Sequence, residues 1–274
     1  MSLITLTTDY GSKDHFVASL KGVLLKYNPS AKIVDISHQV NQYDTLTASY
    51  IVKSCYNDFP ENTVHLIAVD SSTNSEEPHI AIFADRHFFI CPNKGFITQV
   101  FRPDQIESIV YINAASEDYD SFQAKNILSK AAIHLSNGGA IDLLGNPVEH
   151  IFEIKTQKVY FNDAHNKLTG HFIYIDHYGN MVTNIKRIDF NARRKNRAFS
   201  IDFGKMRVSR IYESYDHFNR EYKKTKDASG EIFALFNSSG FLEIGLYKSN
   251  PKTRGSASTL FGLNVFDLIS VQFH

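Results

Sequence analysis

The 274-residue sequence predicts an open α/β domain with a mostly parallel sheet, followed by a small all-β barrel domain. Up to about residue 155, apolar runs of strand length alternate with stretches of helical periodicity, the grammar of βαβ units. After that point the apolar runs are short and are separated by Gly, Asn, Ser and Asp, as in hairpin-linked strands. A chain of this length also exceeds the usual single-domain size, so two cores are expected. The expected boundaries are 1–155 for the α/β domain, 156–167 for a linker whose Tyr160–Lys167 stretch is polar, and 168–274 for the barrel.

The elements follow in chain order. Leu3 to Thr8 reads as a strand, and DYGSKD as a turn. Phe16, Val17, Leu20, Val23 and Leu24 stand at helical spacing until Asn28-Pro29-Ser30 stops the helix. Ala31 to Ile36 is a second strand, and Thr45 to Tyr56 a second helix. Val64 to Val69 is an almost unbroken apolar run of the kind buried in a parallel sheet. Ile80–Phe83 and His87–Ile90 form a hairpin, Pro92-Asn93-Lys94-Gly95 a turn, and Ala124 to Leu135 a helix. In the barrel, strands are expected at Phe172–Ile175, Met181–Ile185, Phe199–Phe203, Ile232–Phe236, Leu242–Leu246 and Val265–Val271. Asp216 to Ser229, rich in Lys and Asp, reads as a solvated loop.

Composition excludes several classes. Hydrophobic residues make up 43% and charged residues 21%, a globular balance rather than a disordered or fibrous one. Basic and acidic residues are both 29, so no global field draws the chain to nucleic acid or to an anionic membrane. With no signal-like N-terminus and no apolar run near the ~20 residues that cross a bilayer, a cytoplasmic protein is expected. Cys55 and Cys91 are read as two core thiols. The twelve histidines form no HxH, HExxH or Cys/His cluster, so no metal site is expected. GxSxG, GxxxxGK and GxGxxG patterns are missing, which removes serine-hydrolase, phosphate-loop and dinucleotide fingerprints.

Carboxylates remain. Asp9 ends the first strand and Asp14 stands at the mouth of the following helix, so both face the crevice outside the carboxyl ends of the strands. A carboxylate there can accept from a ribose diol, each charged hydrogen bond being worth roughly 1.5–3 kcal/mol; for Asp14 a helix cap is the competing reading. Asp70 closes VHLIAV at the same end of the same sheet. Two acids on neighbouring strand tips suit a site that grips hydroxyls with one and orients water with the other. In the barrel, Asp176-His177-Tyr178-Gly179-Asn180 and Asn237-Ser238-Ser239-Gly240 read as turns whose amides and hydroxyls are also able to meet an adenine edge.

Five strings, ITLTTDYGSKDHFVASLKGVL, NPSAKIVDISHQV, FPENTVHLIAVD, YIDHYGNMVTNI and LFNSSGFLEIGL, resemble in order and spacing the S-adenosylmethionine (SAM) hydroxide adenosyltransferase family, to which fluorinases and chlorinases are related. The resemblance spans essentially the whole chain. It implies an α/β domain and a C-terminal β barrel in a homotrimer that binds SAM between the N-terminal domain of one subunit and the C-terminal domain of its neighbour. It also implies attack of water-derived hydroxide on ribose C5′, releasing adenosine and methionine without metal or cofactor. The sulfonium is already an activated leaving group, so the protein has to align nucleophile, carbon and sulfur and keep the site dry. By this resemblance Asp9 holds the ribose hydroxyls, Asp14 lies by the methionine end, and Tyr43 packs on the ligand. Asp176, Asn180 and the Ser238-Ser239 backbone meet the amino-acid and adenine parts, and Thr73 and Phe122 join the ligand-binding set. Asp70 matches the acid of the family's Asp-Arg-His group.

This chain departs from the family at the chemistry. Ser71-Ser72-Thr73-Asn74-Ser75-Glu76-Glu77-Pro78 replaces a Pro-Gly-Val-Gly segment with paired arginines, so Glu77 stands where the Arg is expected. Phe122-Gln123-Ala124-Lys125-Asn126 replaces Phe-His-Gly-Arg-Asp, so Gln123 stands for His. A carboxylate in place of a guanidinium repels hydroxide, and an amide orients water without exchanging a proton. Arg86 or Lys125 are candidates for the missing cation. The expected function is a SAM hydrolase in which Asp70 and Gln123 position water. The alternative is a catalytically weakened or inactive adenosine- or SAM-binding protein. A halogenating enzyme ranks third, because Asp70 and Glu77 would repel a halide.

Overall fold

The computed structural model describes residues 2–223 and 227–274. The chain folds as two units, Met1–Lys155 and Thr156–His274.

The first unit runs β1 (Leu3–Thr8), α1 (Phe16–Tyr27), β2 (Lys32–Ser37), α2 (Thr45–Lys53), β3 (Val64–Ala68), β4 (Ile80–Ala84), β5 (His87–Cys91), α3 (Phe96–Val100), β6 (Ile106–Tyr111) and α4 (Ser129–Ser136), the last entered through a π turn over Ala124–Leu128. The six strands lie in the order β2-β1-β3-β5-β4-β6. β2, β1, β3 and β5 are parallel neighbours, while β4 runs antiparallel to β5 and β6. Alternation along β3 explains the layering. Leu66 and Ala68 face a core shared with Leu20 and Leu24 of α1 and Ala131 and Leu135 of α4. Ile67 and Val69 face the opposite core, with Ala48 and Val52 of α2 and Phe96 and Ile97 of α3. Both faces of β3 are therefore covered, which is why its sequence is apolar apart from the buried His65. Asn28 stops α1 and ties three ends together, its amide donating to Ser2 Oγ at 2.8 Å and to Ser136 Oγ at 2.9 Å.

Two elements of this unit go beyond the sequence expectation. β6 is partly exposed and mixes polar with apolar residues, and α3 is a single short turn after Gly95. The expected second helix ends early at Lys53, and a 3-10 turn over Tyr56–Asp58 follows it. Cys91 is buried and Cys55 half-buried, and burial pushes the Cys55 thiol up to about 11.

The second unit runs β7 (Tyr160–Asn162), β8 (Lys167–Ile175), β9 (Met181–Lys186), α5 (Arg187–Arg194), β10 (Phe199–Phe203), β11 (Met206–Val208), α6 (Tyr215–Lys223), β12 (Ile232–Phe236), β13 (Phe241–Leu246), α7 (Ala257–Phe261) and β14 (Leu268–Phe273). The order is β11-β10-β14-β8-β9-β13-β12, with β7 also on β8. Every pairing between these strands is antiparallel. Just past β11, Tyr212 N donates to Ala234 O of β12 at 2.8 Å, so the two ends of the sheet meet and the sheet is nearly a barrel. Its core is aromatic, with Phe172, Phe190, Phe203 and Phe273 fully buried.

Three expectations are corrected here. Within the segment read as a linker, Tyr160–Asn162 pairs with Lys167–Thr169 as β7, because Phe161 packs on the barrel core behind a polar stretch. The segment read as a solvated loop begins as helix α6, because Phe218 and Tyr222, four apart on one helical face, pack on each other and Phe218 also packs on Phe233. Residues 224–226 of that segment lie outside the described residues. The last strand starts at Leu268 rather than Val265, since Phe266 has φ +76°, outside the strand conformation. Among the described residues no helix is long and apolar enough to cross a membrane.

Candidate active site

β1 and β3 are adjacent and in register, with Thr8 opposite Ala68, so the residues that follow them leave the sheet together. Asp70 adopts φ +49°, a left-handed bend that turns its backbone N–H toward the β1 tip. That N–H donates to Asp9 Oδ2 at 3.1 Å, and the N–H of Tyr43, itself at φ +63°, donates to the same oxygen at 3.0 Å. Asp9 is thus clamped between the β3 tip and the loop before α2. Its other oxygen, Oδ1, has no partner among the described residues.

These residues line a cavity of about 340 Å³ together with Tyr10, Phe16, Gln42, Ser71, Ser72, Asp120, Ser121, Phe122 and Gln123. That volume sits at the lower end of the roughly 300–1,000 Å³ usual for small-molecule sites. One wall is aromatic. The Phe16 and Phe122 rings meet edge to face at 5.3 Å, and Tyr10 lies 5.7 Å from each. Tyr10 hydrogen-bonds Ser71 Oγ at 2.7 Å, and burial, aided by the charge on Asp9, pushes its phenol up to about 12. It therefore keeps its proton throughout the neutral range. Asp120 accepts from Phe122 N at 2.7 Å and adds a third carboxylate that the sequence did not single out.

Asp70 is not left without a cation. Lys94, from the turn after β5, places its ammonium 2.9 Å from Asp70 Oδ1, 3.0 Å from Asp70 O and 2.8 Å from Ser72 O. Neither candidate cation from the sequence fills this role. Arg86 pairs with Glu61 at 2.7 Å, and Lys125 does not line the cavity. Glu77 is exposed, its backbone N–H held by Asn74, and it too is absent from the lining.

Gln123 is buried on the cavity wall with a nearly saturated amide. Its Oε1 accepts from Thr73 N at 3.0 Å, Thr73 Oγ1 at 3.1 Å and His79 Nε2 at 3.0 Å, and its Nε2 donates to Thr73 O at 2.7 Å. One N–H of the amide is uncommitted. His79, which the sequence reading passed over, is fully buried just before β4. Because Oε1 only accepts, the proton sits on Nε2, and Nδ1 is a buried acceptor without a partner among the described residues. Burial pulls this imidazole down to about 4, with the nearby Lys94 charge acting in the same direction, so it is neutral at pH 7.

The structure brings Asp9, Tyr43, Asp70, Phe122 and Gln123 to one cavity and reaches Thr73 only behind Gln123. Asp14 is exposed ahead of α1; it neither lines the cavity nor caps the helix, whose cap position is His15.

In the second unit, Asp176 and Asn180 line a cavity of about 340 Å³ with Tyr178, Tyr215, Phe233, Leu246, Tyr247, Lys248 and Ser249. The Asp176 carboxylate shapes its own turn. Oδ1 accepts from Tyr178 N at 2.8 Å and Asn180 N at 2.9 Å, and Oδ2 from Asn180 Nδ2 at 3.0 Å. Gly179 closes that turn at φ +75°, and a Cβ there would overlap the Ser256 side chain. Behind the cavity, Glu243 is buried and accepts from Tyr215 OH at 2.6 Å and Asn237 Nδ2 at 3.3 Å. Burial, reinforced by the charge on Asp176, raises this carboxyl above its ordinary range. Ser238 and Ser239 occupy the tip of the β12–β13 hairpin and do not line the cavity.

With this geometry in view, known proteins resemble the chain in both units. Residues 4–145 match the SAM hydroxide adenosyltransferase N-terminal domain, and residues 170–270 the C-terminal domain of the same family. The (R)-S-adenosyl-L-methionine hydrolase of Methanocaldococcus jannaschii is 26% identical over 279 residues, covering 99% of this chain and 96% of that protein. A fluorinase of Nocardia brasiliensis is 24% identical over 306 residues, covering 98% and 96%. The crystal structure of an uncharacterized conserved protein from Thermotoga maritima shares the fold with a TM-score of 0.82 at 24% identity, covering 98% of this chain and 99% of that one.

Proposed function

The chain belongs to the SAM hydroxide adenosyltransferase family, and on that premise we propose that it is a SAM hydrolase that releases adenosine and L-methionine. The observation that carries the proposal is the meeting of Asp9 and Asp70 at adjoining strand tips, joined by the Asp70 N–H to Asp9 Oδ2 bond, in a cavity with an aromatic wall.

Asp9 receives the ribose diol on Oδ1, while Tyr43 and Phe122 cover the nucleoside. Asp70 holds a water through Oδ2, and the uncommitted Gln123 N–H is a second contact for that water. The water oxygen bonds to C5′ as the C5′–S bond breaks; the bonding pair returns to sulfur as the thioether of methionine, and the water's surplus proton leaves through Asp70. The cationic sulfonium becomes a neutral leaving group, so alignment and exclusion of bulk water supply the acceleration, and no cofactor is called for. Asp176 and Asn180 are proposed as the ligand contacts of the second unit. Asp14, Thr73, Ser238 and Ser239 line neither cavity and are given no role. The working form is proposed to be a homotrimer, which light scattering checks as three times the chain mass.

The test is incubation with SAM and chromatography of adenosine and methionine in equal amounts. Asp70→Asn is expected to lower turnover by at least ~100-fold, the scale on which removal of a group that positions a reacting atom acts. Binding of SAM or adenosine without products would refute the hydrolase and leave a binding protein.

A further inference from the structure

Resting on the hydrolase reading, we propose that Lys94 is the positioning residue that fixes Asp70 for attack, although it touches no substrate itself. An ammonium has three N–H donors, and Lys94 directs all three at one short segment: Asp70 Oδ1, Asp70 O and Ser72 O, at 2.9, 3.0 and 2.8 Å. With every donor committed, Lys94 has none left for a ligand. What it does is bend the chain. The two carbonyls turn toward one cation, which holds Asp70 in the left-handed conformation that sends its N–H to Asp9.

The same cation anchors one carboxylate oxygen and leaves the other without a partner among the described residues, so the side chain presents a single defined acceptor in the cavity. Lys94 and Asp70 side chains are each 28% exposed, too sheltered for the pair to be a solvent-screened surface contact. The turn that carries Lys94 is itself constrained. Gly95 has φ +86°, and a Cβ there would collide with the Ile154 side chain, so Lys94 is delivered from a backbone with little freedom to shift. One lysine therefore couples the β5 turn to the β3 tip, while Asp9 keeps the Tyr43 N–H as a clamp of its own.

The experiment compares wild-type protein with Lys94→Met and Lys94→Arg, measuring kcat and KM for SAM and adenosine affinity by calorimetry. Lys94→Gln takes the place of Lys94→Met if the latter does not fold. The charge-removing variant is expected to lose about 100-fold in kcat, with KM and adenosine affinity changed less than about threefold, because the misplaced group is the one aligned with the reacting atom. Lys94→Arg is expected to recover at least about tenfold of that loss, since it restores a cation with several donors. A kcat within threefold of wild type in the charge-removing variant, a parallel loss of adenosine binding, or no recovery in Lys94→Arg overturns the inference while the hydrolase reading stands. Failure of the wild-type protein to release adenosine from SAM overturns the hydrolase reading and this inference with it.

Discussion

Asp9 commits Oδ2 to two backbone amides, and under the proposed hydrolase reading its Oδ1 takes the ribose diol. Asp9→Ala is therefore expected to weaken adenosine binding by about 10- to 100-fold, the loss of one or two charged hydrogen bonds, as read by calorimetry; unchanged affinity would place the ribose elsewhere. Two buried histidines give a second residue-scale expectation. Burial pulls His65 down to about 3 and His79 to about 4, both below their ordinary value near 6.5. The unfolded chain then binds more protons than the folded one below about pH 6.5, so stability is full above that pH and falls as pH drops toward the folded values. Each histidine is expected to cost about 2 kcal/mol between pH 7 and pH 5, visible as a lower urea midpoint. His79→Gln, which keeps an amide donor for Gln123, should remove about half of that pH dependence; an equal midpoint at both pH values would contradict the burial argument. Asp9 and Asp70 were legible in the sequence because each ends an apolar run. Lys94 and His79 were not, since a turn and a strand start far along the chain reach Asp70 and Gln123 only once the β4–β5 hairpin has been placed against β3.

At the scale of elements, α2 links helix capping to the site. Asp44 accepts from Thr47 N at 2.9 Å and from Thr47 Oγ1 at 2.7 Å, one residue after the Tyr43 N–H that clamps Asp9. Asp44→Ala is expected to cost about 1 kcal/mol in stability, measured by denaturant unfolding, as for other lost helix caps. No measurable change would mean that the Asp44 bonds add nothing to this helix. β1 and β3 could be read from sequence because burial on both faces leaves a mostly apolar run, broken only by Thr in β1 and His65 in β3, whereas other elements could not. β11 is three residues long, β6 mixes polarity at a partly exposed position, and β7 hides a single core contact, Phe161, within a polar segment. α6 reads as a charged loop because its mean character is polar; Phe218 and Tyr222, with Tyr215 one turn before them, mark the face that packs beside Phe233. Composition over a window averages away a narrow apolar stripe, and periodicity is the signal that survives.

Across the whole molecule, each unit has its own sheet and its own core. The six-stranded sheet is covered on one face by α1 and α4 and on the other by α2 and α3 within residues 1–155. The eight-stranded sheet joins its ends through Tyr212 N to Ala234 O and fills its centre with aromatic side chains within residues 156–274. A unit with a covered sheet and a buried core has what independent folding requires. Residues 1–155 and 156–274 expressed separately are therefore each expected to give a cooperative urea transition by circular dichroism. The Asp9 and Asp70 cavity lies wholly within the first fragment, so that fragment is expected to retain adenosine binding. A non-cooperative first fragment would show that its two cores do not suffice. A cooperative one that fails to bind adenosine would show that the carboxylate pair alone does not hold the nucleoside.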